Sequence, residues 1–196
     1  RRCPRQTQSE LPFRNSPMKN IVFVTLLVLA LPAAAAWPEQ FSLYGIGAKS
    51  APNKHGQWSF QSLNLEATGR TKWPFDWGLV FAPTHMTQPV DFFDTLHETE
   101  SVRAASLSLL ARKTFSQRGS VRPYIELSSG PIYASRRVPE STSHFNFISQ
   151  AGVGVITNGH TPLIFGLRVF HISNAGYADS NPGINFTGLL FGLRLR

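Results

Sequence analysis

The chain has 196 residues, with 19 Lys and Arg against 11 Asp and Glu, and a formal net charge of +8. Residues 1–36 hold five of the basic residues and one acidic residue, so residues 37–196 carry 14 basic and 10 acidic residues, a net charge of +4. This moderate excess does not indicate nucleic-acid binding. The single cysteine, Cys3, also lies before residue 37, so we expect no disulfide to support the fold.

The first 36 residues predict a secretory signal peptide behind a short extension. Met18 and Lys19 begin a charged segment, residues 21–31 form an apolar run, and residues 33–36 supply small side chains for cleavage. The apolar run is too short for a membrane-spanning helix. We expect residues 1–17 to be an upstream extension outside the native protein and residues 18–36 to be the signal peptide. Residues 37–196 are expected to form one domain.

Beyond residue 37 the side chains alternate between apolar and polar with a period of two, and no apolar run approaches the roughly 20 residues of a transmembrane helix. Eight strands are predicted at about residues 41–49, 57–69, 77–86, 98–112, 121–135, 144–157, 162–173 and 185–195. Connections after even strands are mostly short, and the turn at residues 158–161 contains an Asn-Gly pair that favours positive φ. Connections after odd strands are longer and more polar, as at residues 87–97 and 174–184.

An even number of antiparallel strands with short turns at one end and long loops at the other is typical of bacterial outer-membrane barrels. Closure is required because an open sheet edge in lipid leaves backbone groups unpaired. The sequence therefore predicts an all-β fold, an eight-stranded antiparallel transmembrane β-barrel of the outer-membrane type. Trp73, Phe75 and Trp77 could form an interfacial girdle, while the terminal Arg196 departs from the aromatic residue common in such barrels. A secreted soluble sandwich or lipid-binding barrel also fits the alternation.

The seventh predicted strand carries an apolar stripe that ends in two reactive side chains. The residues on this face are Leu163, Phe165, Leu167, Val169, His171 and Ser173. Two residues along a strand span about 7 Å, so an imidazole and a hydroxyl lie near each other at its end. With a periplasmic N-terminus, this end faces the outer leaflet. A base and a nucleophile beside lipid suggest chemistry on an ester at a membrane surface.

The run from His171 through Ser173 to Gly176, His-Ile-Ser-Asn-Ala-Gly, followed by Asn-Pro-Gly at 181–183, resembles the lipid A 3-O-deacylase (PagL) family. The similarity is strongest over residues 160–196. It implies an outer-membrane esterase that removes the 3-hydroxyacyl chain from position 3 of lipid A. Lipid A or lipopolysaccharide and outer-membrane lipid are the implied partners, no metal or cofactor is implied, and a homodimer is left open.

The resemblance also implies roles for individual residues. Ser173 would be the nucleophile and His171 its general base. The implied oxyanion donors are Asn174 and the backbone amides around Ala175 and Gly176.

The family's pattern has a Glu fourteen residues after the His, but this chain has Asn185. Pairing of the last two strands is expected to place Asn185 on the same face, beside His171 and Ser173. An Asn carbonyl can accept the imidazole N–H but supplies no negative charge, and Asp179 is an alternative acid. Three functions therefore stay open: an active deacylase, a non-catalytic outer-membrane barrel that binds lipopolysaccharide or braces the membrane, and a soluble lipid-binding barrel.

Charged side chains within the predicted strands favour a structural role. Glu66, Glu126, Arg112 and Arg122 are expected to form a polar network in the lumen, since side chains fill small barrels. The Arg136-Arg137 pair begins an outer loop and could contact lipid A phosphates.

A loop rich in His and acidic residues could hold a divalent cation. Its members are His85, Asp91, Asp94, His97, Glu98 and Glu100. Their spacing matches no ligand pattern, so we expect exposed loop residues.

Overall fold

The computed structural model describes residues 37–52, 57–70, 74–92, 96–115, 119–139, 142–178 and 180–195, apart from the side chains of residues 90–92 and 96–98. The predicted extension and signal peptide lie outside the described residues. So do Trp73, Asp94 and Asp179, and the side chains of Asp91, His97 and Glu98.

Eight antiparallel strands form one closed barrel. They are β1 (Gln40–Ser50), β2 (Ser59–Gly69), β3 (Asp76–Phe92), β4 (Leu96–Thr114), β5 (Val121–Ala134), β6 (Phe145–Thr157), β7 (Leu163–Ser173) and β8 (Ile184–Leu195). Each strand pairs with the next along the chain, and β8 pairs with β1. The closed barrel confirms the predicted fold class and strand number. No helix within the described ranges is long and apolar enough to cross a membrane.

Each strand has an apolar face on the outside of the barrel and a face towards the lumen, where side chains pack against one another. Large apolar side chains point outward around the barrel, with Leu189 70 % exposed, Leu127 65 % and Phe191 57 %. Such a surface suits a hydrocarbon environment and would be a liability in water. Inside, rings pack together, as in the Phe170–Phe186 stack with centroids 4.9 Å apart. The part of the lumen nearest the β7–β8 loop is therefore a packed core.

An ion cluster occupies the middle of the lumen. Nη2 of Arg112 lies 2.7 Å from Oε2 of Glu66 and 2.7 Å from Oε2 of Glu126. Arg168 Nε donates to Glu126 Oε1 at 2.6 Å, and its Nη2 donates to the hydroxyl of Tyr44 at 3.0 Å. Paired opposite charges make burial of four ionised groups tolerable.

The lumen prediction is confirmed for Glu66, Glu126 and Arg112 and is wrong for Arg122. Arg122 points inward by parity but lies four residues before Glu126 on β5, about 13 Å nearer the end of the barrel. The second cation of the cluster is Arg168 instead. It follows Leu167 on the strand that carries the apolar stripe.

The connection after β3 differs from the predicted long loop at residues 87–97. Strands β3 and β4 stay paired as far as Phe92 and Leu96. Their polar residues are partly hidden, since the buried Gln88 donates to Glu100 Oε2 at 2.8 Å. These polar side chains belong to a long β3–β4 hairpin and not to a loop. The prediction of a long connection after every odd strand is therefore wrong for the connection after β3. The tight turn after β6 does contain a positive φ, +138° at Gly159.

Candidate functional site

The β7–β8 hairpin brings His171 and Asn185 together on the outer surface of the barrel. The two residues are direct partners in the register, and both side chains are exposed. Nδ1 of His171 lies 2.8 Å from Oδ1 of Asn185. Because a carbonyl oxygen can only accept, Nδ1 is the donor, and in the neutral ring the lone pair is then on Nε2. The pair thus presents an oriented imidazole with its basic nitrogen available.

The backbone of Gly183 fixes the other side of the imidazole. Gly183 has φ +60°, and a Cβ built there would overlap the ring of His171, with Nε2 only 2.9 Å away. The ring therefore lies against bare backbone, which only glycine permits. The Asn-Pro-Gly motif marked this residue in the sequence, but its contact with the imidazole was not predicted.

Ser173 ends β7 on the same face as His171 and is half-buried. Its register partner on β6 is Phe147. In the part of the chain that the structure describes, no hydrogen bond joins the Ser173 hydroxyl to the His171 ring. The hairpin thus places nucleophile and base as neighbours on one face while leaving both reactive atoms free.

The loop after β7 is built around Asn174, which is 2 % exposed. Its Nδ2 donates to the Ser180 carbonyl at 2.8 Å, and its backbone N–H donates to Asn181 Oδ1 at 3.1 Å. Its own Oδ1 accepts the Gly176 N–H at 2.9 Å. Of the predicted oxyanion donors, only the Ala175 backbone N–H has no partner among the described residues. Ala175 adopts φ +54°, an uncommon conformation for a residue with a Cβ.

Two serines that the sequence analysis missed extend the polar surface beside His171. Ser149 on β6 is the register partner of His171, and Ser129 on β5 is the partner of Ser149. Their hydroxyl oxygens lie 2.9 Å apart, and both residues are exposed. Outward-facing serines interrupt an otherwise apolar alternation, and that interruption was visible in the sequence.

Two apolar surface grooves lie on either side of β7. One, of about 370 Å³, has Ala111, Ala151 and Val169 in its lining and lies on the inner-leaflet side of His171 in the predicted orientation. The other, of about 440 Å³, lies over β8, β1 and β2 and includes Lys49. Leu167 lines both grooves, so the stripe on β7 is a ridge between two depressions that could each hold an acyl chain.

The remaining candidates from the sequence do not join this site. Nε of Arg136 lies 3.0 Å from Oε1 of Glu100, and 63 % of the Arg136 side chain is exposed. His85 lies outward on β3. Among the residues the structure describes, no group of three or more His, Cys, Asp and Glu could hold a metal ion.

Solved structures with the same architecture support the fold assignment. The chain is similar to the outer membrane enzyme PagL, with a TM-score of 0.57 and 18% identity over 80% of this chain and 99% of that one. It is also similar to Neisserial surface protein A, with a TM-score of 0.52 and 17% identity over 80% of this chain and 95% of that one. Both are outer-membrane barrels, and at these identities the likeness concerns the fold. No curated protein sequence matches the chain.

The family assignment rests on a longer match in sequence. The model of the family described as lipid A 3-O-deacylase (PagL) matches residues 55–194, which include β2 to β7 and all of β8 except its last residue. The chain therefore belongs to the lipid A 3-O-deacylase (PagL) family and is an outer-membrane β-barrel of the ester hydrolase class.

Proposed function

We propose that this protein hydrolyses the ester that links a 3-hydroxyacyl chain to position 3 of lipid A. The observation that carries the proposal is the His171–Asn185 pair, which shares a lipid-facing surface with Ser173 at the end of β7. This arrangement lies within the region that matches the family. Its position at one end of an apolar outer surface suits an ester near a lipid headgroup.

The proposed reaction begins at Ser173. Rotation of its side chain brings Oγ towards Nε2 of His171, which takes the hydroxyl proton as Oγ attacks the ester carbonyl. Collapse of the tetrahedral intermediate expels the sugar oxygen, which takes that proton from the imidazolium. Water then repeats the sequence on the acyl-enzyme and releases the free 3-hydroxy fatty acid. Throughout, Asn185 holds the tautomer that keeps Nε2 basic.

The developing oxyanion requires a donor close to Ser173. We assign this role to the Ala175 N–H, whose hydrogen is uncommitted within the described loop and which lies two residues after the nucleophile. Asn174 and Gly176 then act as braces, since their side-chain and backbone donors already hold the loop together. A preorganised backbone donor needs no rearrangement when negative charge appears on the substrate.

The surface around the hairpin supports a lipid substrate with several acyl chains. The groove beside Val169 offers an apolar track on the inner-leaflet side of His171, in the position where a chain attached at the reacting ester would lie. Ser149 and Ser129 add hydroxyl groups beside the imidazole, where polar headgroup atoms would be. The ester bond would thus sit at the boundary between polar and apolar surface.

The direct test incubates detergent-folded protein with purified lipid A and measures product mass. We expect wild type to remove one 3-hydroxyacyl unit and Ser173→Ala to remove none. His171→Gln should behave like Ser173→Ala, because the serine then has no base. Release by Ser173→Ala at the wild-type rate would refute the assigned nucleophile.

Asn185 favours a second candidate, a non-catalytic barrel that binds lipopolysaccharide. An uncharged partner stabilises an imidazolium less than a carboxylate does. This candidate predicts that wild type binds lipid A and leaves its mass unchanged, whether or not Asn185→Glu shows turnover. Turnover by wild type rules it out.

A further inference from the structure

A polar cavity of about 450 Å³ lies at the barrel end opposite the β7–β8 loop. Strands β1, β3 and β5 begin at this end, and β2, β4 and β8 finish there. The wall includes Arg70, Arg122 and Arg194, with Arg112 of the ion cluster as part of the lining. In the orientation proposed above, the cavity faces the periplasm.

Buried atoms without partners concentrate around this cavity. Seven buried side-chain atoms lack a hydrogen bond among the described residues, and four of them belong to residues that line it. They are Nε of Arg122, Nε of Arg194 and the hydroxyls of Thr68 and Thr114. Thr68 is only 2 % exposed. Such groups need a hydrogen-bond partner, either water or a ligand that accepts several hydrogen bonds at once.

The net positive charge of the cavity wall favours an anionic ligand. Arg112 is already neutralised by Glu66 and Glu126. The other wall charges are three guanidinium groups, from Arg70 and the two arginines with unpartnered Nε atoms, against the carboxylates of Glu39 and Asp76. Arg194 experiences the like charge of Arg122 and the opposite charge of Asp76. An anion between the guanidinium groups would relieve that repulsion, and a cation would add to it.

We propose that this cavity binds a phosphate group. A free Nε beside a terminal guanidinium nitrogen makes the two-pronged donor that matches two oxygens of one phosphate. Arg122 and Arg194 approach from different strands, and the Thr68 and Thr114 hydroxyls can donate to the remaining oxygens. A carboxylate has only two oxygens and would leave part of this donor set unused. The phosphate could belong to a lipid headgroup of the inner leaflet or to a soluble compound.

Titration calorimetry on detergent-folded protein in phosphate-free buffer tests the proposal, with inorganic phosphate as the probe. We expect saturable binding to wild type that Arg122→Gln and Arg194→Gln each weaken roughly tenfold or more. Arg103→Gln is the matched control, since Arg103 is exposed on the outer surface, and should bind like wild type. Ser173→Ala should also bind like wild type, which separates this site from the proposed esterase activity.

A second arm identifies the source of the phosphate. Competition by a short-chain phosphatidylglycerol would assign a lipid headgroup, and its absence would assign a soluble phosphate compound. If the Gln variants fail to fold, Arg122→Lys keeps the charge but loses the two-pronged donor and should still weaken binding. No saturable binding to wild type, or unchanged affinity in the cavity variants, would overturn the proposal.

Discussion

Nδ1 of His171 donates to Oδ1 of Asn185 across 2.8 Å, between two residues that are direct partners in the β7–β8 ladder. A neutral carbonyl thus occupies the place where the family pattern has a carboxylate. The carbonyl can select the tautomer and orient the ring, but it adds no charge to stabilise an imidazolium. The rate of the proposed reaction should therefore depend strongly on residue 185.

Asn185→Glu should raise kcat roughly tenfold or more. For scale, the reverse loss of charge in a Ser-His-Asp protease costs about 10⁴ in rate. Asn185→Leu should lower kcat, because nothing then holds the imidazole tautomer. Deacylation kinetics on lipid A in mixed micelles check both. A slower Asn185→Glu enzyme with an intact fold would show that the site is adapted to the neutral partner.

Gly183→Ala should reduce kcat without preventing barrel formation. The added Cβ would overlap the His171 ring, which must then leave the position it has against the Gly183 backbone. Gly159→Ala is the matched control, because Gly159 also has positive φ but no atom lies within 4 Å of the position that an added Cβ would take. Its φ of +138° disfavours an added Cβ more strongly than the +60° of Gly183 does, and it lies in the turn between β6 and β7, at the other end of β7 from His171. Equal activity loss in both variants would point to general strain.

Ala151→Trp should raise KM by filling the groove beside Val169. The indole would occupy space that we assign to an acyl chain, while Ser173 and His171 stay in place. Ala105→Trp provides the control, since Ala105 is exposed on the outer surface of β4 and does not line that groove. Kinetics with lipid A of two acyl-chain lengths would show a larger effect on the longer chain. An unchanged KM for Ala151→Trp would contradict this assignment of the groove.

Glu126→Gln should destabilise the barrel by about 3–5 kcal/mol, because two buried guanidinium groups lose a charged partner. Arg112 and Arg168 both donate to Glu126, and both side chains are almost completely buried. Arg136→Gln breaks the more exposed ion pair with Glu100 and should cost less than about 1 kcal/mol. Urea unfolding in lipid vesicles, followed by tryptophan fluorescence, measures both. Similar losses would mean that the lumen cluster contributes little.

The fold was largely predictable because side chains on a strand alternate between two very different environments. The stripe from Leu163 to Val169 and the inward Ile164 and Phe170 follow that alternation directly. The ends of β3 and β4 were not predictable in this way, since beyond the membrane both faces can meet water. In those segments, the alternation of apolar and polar residues therefore does not distinguish a strand from a loop.

The residues of the candidate site could be predicted from the sequence, but the contacts between their side chains and the backbone could not. Parity and antiparallel pairing were enough to expect Asn185 beside His171. The closeness of Gly183 to the ring depends on backbone torsions in the hairpin loop, which no residue pattern specifies. The choice of Arg168 over Arg122 in the ion cluster depends on depth along the barrel, and depth follows from strand register.

The central claim is that Ser173 attacks an acyl ester of lipid A with His171 as its base. Mass spectrometry of lipid A after incubation with wild type, Ser173→Ala and Asn185→Glu, each folded in detergent, tests it most directly. We predict loss of one 3-hydroxyacyl unit with wild type, faster loss with Asn185→Glu and none with Ser173→Ala. An unchanged mass with both wild type and Asn185→Glu, or equal release by Ser173→Ala, would contradict the claim.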